Sequence, residues 1–143
     1  MKIATTKFGQ IQGSARDLLL FPEGLIGFED LRLWLLLREQ ALVWLQSAEQ
    51  AEIALPCASP YTYQPDYQPR FNSTDAHWVV SPPEQQPLLL AVVNRNGGDW
   101  TLNLRAPLVV RLADRTGRQI ITANEQSLRC VLPRAVDAVR KTA

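Results

Sequence analysis

The residues able to do covalent chemistry are few. The chain of 143 residues has one histidine, His77, and two cysteines, Cys57 and Cys130. With an acid such as Asp66 they could in principle make a nucleophile–base pair, but that pairing needs them within hydrogen-bond reach. Nothing in their spacing brings them together. A zinc site needs three or four nitrogen, sulfur or oxygen ligands at workable spacing, and one histidine with two distant cysteines does not supply them. The neighbouring carboxylates Glu29 and Asp30 fall in a turn, where a solvated face is expected rather than an acid/base pair. No GxGxxG, Walker loop, GxSxG or HExxH occurs. These residues point away from an enzyme and from any cofactor or metal.

Polar chemistry of another kind remains. Arginines at 105, 111, 115, 118 and 129 fall on or between expected strands. On a shared face they could make bidentate contacts to phosphate or carboxylate. This gives an alternative function, an RNA- or polyanion-binding module using the C-terminal arginines. Against it, the net charge is only +1, the pI is about 7.8, and no interleave of exposed aromatic and basic residues is visible. Direct nucleic-acid binding is therefore disfavoured. The neutral total still hides an asymmetry. Residues 1–93 carry six basic and ten acidic groups, a net of −4, and residues 94–143 carry nine and four, a net of +5. Tyr61, Tyr63 and Tyr67 alternate with prolines, and tyrosine offers large contact area at low entropic cost.

The elements that must position these residues are mostly strands. Short apolar runs recur at Asp17–Phe21, Leu33–Leu37, Leu42–Gln46, Glu52–Cys57, Leu88–Asn94, Trp100–Leu104, Leu108–Leu112 and Gln119–Thr122, after an opening strand over Lys2–Phe8. Turn signals at Asn96-Gly97-Gly98 and Arg115-Thr116-Gly117 separate them. Phe21-Pro22-Glu23-Gly24 has the proline and glycine placement of a type I turn. Four prolines in residues 56–69 predict an extended edge segment rather than a central strand. Asn72–Val80 opens on good N-caps, so a short helix is expected there, closed by Pro82 and Pro83. Residues 135–140 could form a short amphipathic helix or a frayed tail. The fold class is mainly β: one antiparallel, barrel-like domain over residues 1–143 with one or two short helices. The four tryptophans lie in or beside apolar runs and are expected in the core. No signal peptide is visible and no apolar run is long enough to cross a membrane as a helix. Two cysteines without a CxxC spacing fit a reducing cytoplasm.

Several blocks then line up in order: TKFGQI (6–11), FPEGLIGFEDL (21–31), WLQS (44–47), PDY (65–67), NLRAPLVV (103–110) and GRQII (117–121). Together they resemble the FliW family of bacterial flagellar assembly factors, over residues 6–133. The resemblance implies a small cytoplasmic β-barrel module without cofactor or catalysis, a monomer with two protein partners. These are the translational regulator CsrA, whose repression of flagellin mRNA it relieves, and flagellin, which competes for it. It further implies partner contacts among Phe28, Glu29, Asp30, Gln46, Tyr61, Tyr63, Asp66, Tyr67, Asn103 and Arg111. FliW-like chains are usually more acidic than this one, and Arg111 stands where an asparagine is common.

Overall fold

The computed structural model describes residues 1–80 and 86–133. The expected closure at Pro82 and Pro83 and the expected tail helix over 135–140 lie outside those residues. Eleven strands, two α-helices and one 3-10 turn over Ala15–Asp17 are present among the described residues. The strands are β1 (Lys2–Thr5), β2 (Gly9–Gln12), β3 (Leu19–Leu20), β4 (Leu33–Glu39), β5 (Leu42–Ser47), β6 (Ala54–Ala58), β7 (Leu88–Asn96), β8 (Asp99–Leu102), β9 (Leu108–Arg111), β10 (Thr116–Gln119) and β11 (Cys130–Val131). The helices are α1 (Pro60–Tyr63) and α2 (Ser73–Val79).

Seven strands close a ring in the order β7-β6-β5-β4-β3-β10-β9, and β9 pairs back to β7. Closure leaves the ring without free edges. Strands β8 and β11 extend outward from β7, and β1–β2 forms a separate hairpin. Among the described residues every pairing is antiparallel except one, the parallel contact of Thr116 with Leu20 that joins β10 to β3. The mainly β, barrel-like class expected from the sequence is the class observed.

The long hairpin β4–β5 is the best-paired part, with six residue pairs from Trp34↔Ser47 to Glu39↔Leu42. Its two-residue turn puts Gln40 at φ 54. The ring is filled from inside by Leu19, Phe21, Trp34, Leu45, Leu90, Leu108 and Val110, all nearly inaccessible to solvent. A second cluster around Trp44, Tyr67, Leu102 and Leu104 packs the side that carries β8 and β11. Trp34 and Trp44 are buried as expected, while Trp78 and Trp100 are only partly so.

Three sequence expectations are corrected, and one strand was missed. The opening run breaks at Thr5, where a turn leads into β2. The extended edge segment over 56–69 is instead the end of β6 followed by helix α1, and Pro56 sits inside the ring opposite Trp44. It is tolerated because β6 pairs with β7 only from Cys57 onward, so the strand is effectively an edge at Pro56. Thr116 and Gly117, expected in a turn, open β10; the turn lies just before, with Arg115 at φ 58. Gly117 is in a strand because Phe21 packs on it, and a β-carbon there would fall within the Phe21 ring. Strand β11 was not foreseen.

Candidate functional site

The loop after β3 is built by its own backbone. Gly24 donates to the Phe21 carbonyl at 2.9 Å, the hydrogen bond of the expected turn. Leu25 and Phe28 then exchange hydrogen bonds at 3.3 and 2.8 Å, which ties the loop across its neck. Gly24 has φ +67, and its missing side chain leaves room for the backbone of Glu29. Leu25 points into the core, and Phe28 is half-buried against Trp34, edge-on at 6.5 Å. Between them Ile26 stands 57% exposed. Glu29 is exposed, and its Oε2 accepts from the Gly27 N–H at 2.8 Å, so one of the expected contact residues also shapes the loop. Asp30 is exposed beside it.

A second motif faces this loop from 75 residues further along the chain. The Asn103 side chain accepts from the N–H groups of Arg105 and Ala106, both at 3.1 Å, and so bends the chain before β9. Gln119 at the end of β10 joins the two. Its Oε1 accepts from the Ile26 N–H at 2.8 Å, and its Nε2 donates to the Ala106 carbonyl at 3.1 Å. Between these walls lies a groove of about 180 Å³ lined by Leu25, Ile26, Phe28, Leu55, Val92, Asn94, Asn103 and Gln119. Phe28 and Asn103 were expected from sequence and are brought together here. Gln119 was not singled out. The available signal was a lone carboxamide between strand residues in the block GRQII.

The tyrosines build a different place. Tyr61 is exposed on α1 and leans on Tyr67, ring centroids 5.8 Å apart. Tyr63 is half-buried, which pushes its phenol pKa up. Asp66 is exposed and accepts from the Gln64 amide at 3.1 Å. Tyr67 is a correction: it is 4% exposed, and its hydroxyl donates to the Leu104 carbonyl at 2.6 Å. Burial, with Tyr61 as a lesser cause, holds its phenol far above the ordinary value.

Gln46 is a second correction. It is wholly buried, and its Nε2 donates to the carbonyls of Ser47, Ala51 and Ile53. Through these bonds it closes the 47–53 loop. Arg111 is the third. It is mostly buried, paired with Asp114 at 2.7 Å, and its guanidinium lies 5.2 Å from the Trp78 ring.

Three more of these arginines are also engaged by their own chain. Arg118 lies 4.4 Å over the same Trp78 ring and 3.8 Å from Asp75. Arg115 donates to the Asp17 and Leu18 carbonyls across the β3–β10 junction. Arg105 donates to the Gln126 carbonyl at 3.2 Å. The titratable residues stay apart. Cys57 is completely buried, its thiol pushed up to about 12 by desolvation, whereas His77 is exposed on α2. Among the described residues no group of three or more His, Cys, Asp or Glu side chains could hold a metal ion, and no helix is long and apolar enough to cross a membrane.

Comparison with known proteins agrees with this architecture. The family model described as FliW protein matches residues 2–130. The chain belongs to the FliW family. It is 34% identical over 126 residues to the flagellar assembly factor FliW of Bdellovibrio bacteriovorus, covering 85% of this chain and 72% of that one. Against the same factor from Clostridium tetani the identity is 32%, covering 88% and 90%. A crystal structure of the flagellar assembly factor FliW superimposes with a TM-score of 0.84 at 26% identity, over 94% of this chain and 99% of that one. The FliW fold and its role as a flagellar assembly factor thus apply here.

Proposed function

We propose that this FliW chain is a non-enzymatic partner-switching protein of the cytoplasm. As a monomer it binds the translational regulator CsrA and frees flagellin mRNA from repression, and flagellin competes for it. One observation carries the reading. The blocks 21–31, 103–110 and 117–121, far apart in sequence, converge on a single braced groove. A surface assembled from three segments is what a specific protein contact requires, and the groove presents apolar and carboxamide groups rather than an acid, base or nucleophile.

The RNA-binding alternative loses most of its support. Of the five arginines it drew on, Arg105, Arg111, Arg115 and Arg118 are each held by carbonyls, carboxylates or the Trp78 ring, and Arg129 is exposed. Calorimetric titration tests the reading directly. The expected result is a stoichiometric complex with cognate CsrA and displacement of CsrA by flagellin. No heat with either partner would remove the assignment.

A further inference from the structure

We propose that the Gln119-braced groove is a docking surface for an extended segment of a basic protein partner, one that presents aliphatic side chains. The inference rests on reading the chain as a protein-binding module and adds the place and the chemistry. A single exposed aliphatic residue is ordinary on any protein surface. Ile26 differs because its presentation is fixed. Leu25 and Phe28 are cross-bonded on either side of it, and its own N–H is held by Gln119 at 2.8 Å. A side chain held out this way loses little conformational freedom when it is covered. Ile121 is 64% exposed two residues beyond Gln119, while Ile120 and Thr122 between and after them are buried. The alternation turns Ile121 outward on the same side of the chain as Gln119.

Leu55 and Val92 give the groove an apolar floor, and Asn94 and Asn103 add neutral carboxamides. Carboxamides both donate and accept, as an extended backbone does. Among the described residues no charged side chain lines the groove. Its surroundings set the field. Glu23, Glu29 and Asp30 are all exposed on the loop. The nearby arginines are drawn elsewhere: Arg32 sits beside Glu49, Arg105 bonds the Gln126 carbonyl and Arg118 lies between Asp75 and Trp78. The loop therefore presents negative charge beside an apolar groove, which selects a basic partner and repels nucleic acid. It also disfavours a second copy of this chain, because a two-fold contact would set the acidic loops against each other.

The test pans a displayed library of random short peptides on the wild-type protein, then measures the enriched peptide on variants. Enriched peptides are expected to combine aliphatic residues with Lys or Arg. The synthetic peptide is expected to lose about tenfold or more in affinity on Ile26→Asp, and to bind Asp30→Arg more weakly and with a smaller salt dependence. Both positions are exposed, so unchanged melting temperatures serve as the fold control. As an independent reading on the unaltered chain, bound peptide is expected to slow amide exchange over residues 25–28 and 103–106. Several results would overturn the inference: no enrichment, acidic peptides, equal binding to Ile26→Asp, protection confined to another face, or an RNA or self-association signal that depends on Ile26. Binding of CsrA or flagellin unaffected by Ile26→Asp would overturn it while leaving the assignment of partners intact. Basic aliphatic peptides held in the groove, with neither CsrA nor flagellin bound, would keep the docking surface and remove those partners.

Discussion

At the scale of single residues, two positions show how little freedom the barrel has. Gly117 faces the Phe21 ring with no space for a β-carbon. Gly117→Ala is expected to cost about 1–3 kcal/mol through overpacking, read as a lower midpoint in urea unfolding. Glu49 shows the electrostatic side. Its carboxylate accepts from the Leu33 and Arg32 N–H groups at 2.8 and 2.6 Å, and those bonds hold its pKa below the ordinary value. A depressed folded pKa contributes stability that is present above the unfolded value near 4.5 and is lost as pH falls through the folded one. Acid unfolding of wild type is expected to steepen below that pH, and Glu49→Gln to flatten this part of the profile, as followed by tryptophan fluorescence.

Residue-level legibility was uneven for a physical reason. Phe28 and Asn103 were recognisable from their motifs, and both line the groove. Gln46 and Tyr67 were equally recognisable, yet the Gln46 amide group and the Tyr67 hydroxyl donate to carbonyls of their own chain. A polar atom inside a motif carries no mark of whether its partner is internal. Gln119 was missed because its role needs two backbone groups that sequence alone does not bring together.

At the scale of elements, sequence was clearest where one segment supplies both pattern and partner. Hairpin β4–β5 pairs with its immediate neighbour, and α2 begins where Asn72 caps it, with the Asp75 N–H donating to the Asn72 side chain at 2.9 Å. Strand β10 pairs with its neighbour β9, but its start is set by the turn at Arg115, and the two-residue β11 exists only through the distant β8, so the first was misplaced and the second unseen. Helix α2 is also held by distant groups, through Trp78 beneath Arg111 and Arg118. A ring meeting two guanidinium groups contributes about 0.5–2 kcal/mol per contact. Trp78→Leu keeps an apolar side chain and removes that attraction. It is expected to raise the exchange rate of α2 amides well before those of β5, as measured by hydrogen–deuterium exchange.

At the scale of the whole molecule, the ring and its attachments differ in how they are tied. The β1–β2 hairpin is a two-stranded sheet of its own, held to the rest by the Thr6 N–H to Ala51 carbonyl bond at 2.9 Å, by buried Ile3, and by Phe8 and Lys7 of its turn against Trp44. Two-stranded hairpins are marginal without packing support. In native-state exchange, β1–β2 is expected to open first and β4–β5 last, with the latter tracking global unfolding. Uniform protection across all strands would contradict this division.

The charge of the molecule changes meaning at this scale too. Within the positive C-terminal part, Arg105, Arg111, Arg115 and Arg118 brace helix, strand junction and turn, while exposed carboxylates gather on the groove loop. Overall charge is then a poor guide to what a partner meets.

The parallel contact between β3 and β10 has a last consequence. Only Thr116 and Leu20 are in register there, so the closure depends on the Arg115 side chain, the Leu20 N–H to Arg115 carbonyl bond and the Phe21 ring on Gly117. The two walls of the groove continue from opposite sides of this seam: the Ile26 loop from β3 and Gln119 from β10. The barrel's thinnest weld therefore runs into the mouth of the groove like the hinge of a clasp. Any load that spreads the mouth is borne first by that weld, and any occupant that bridges the two lips holds the clasp shut.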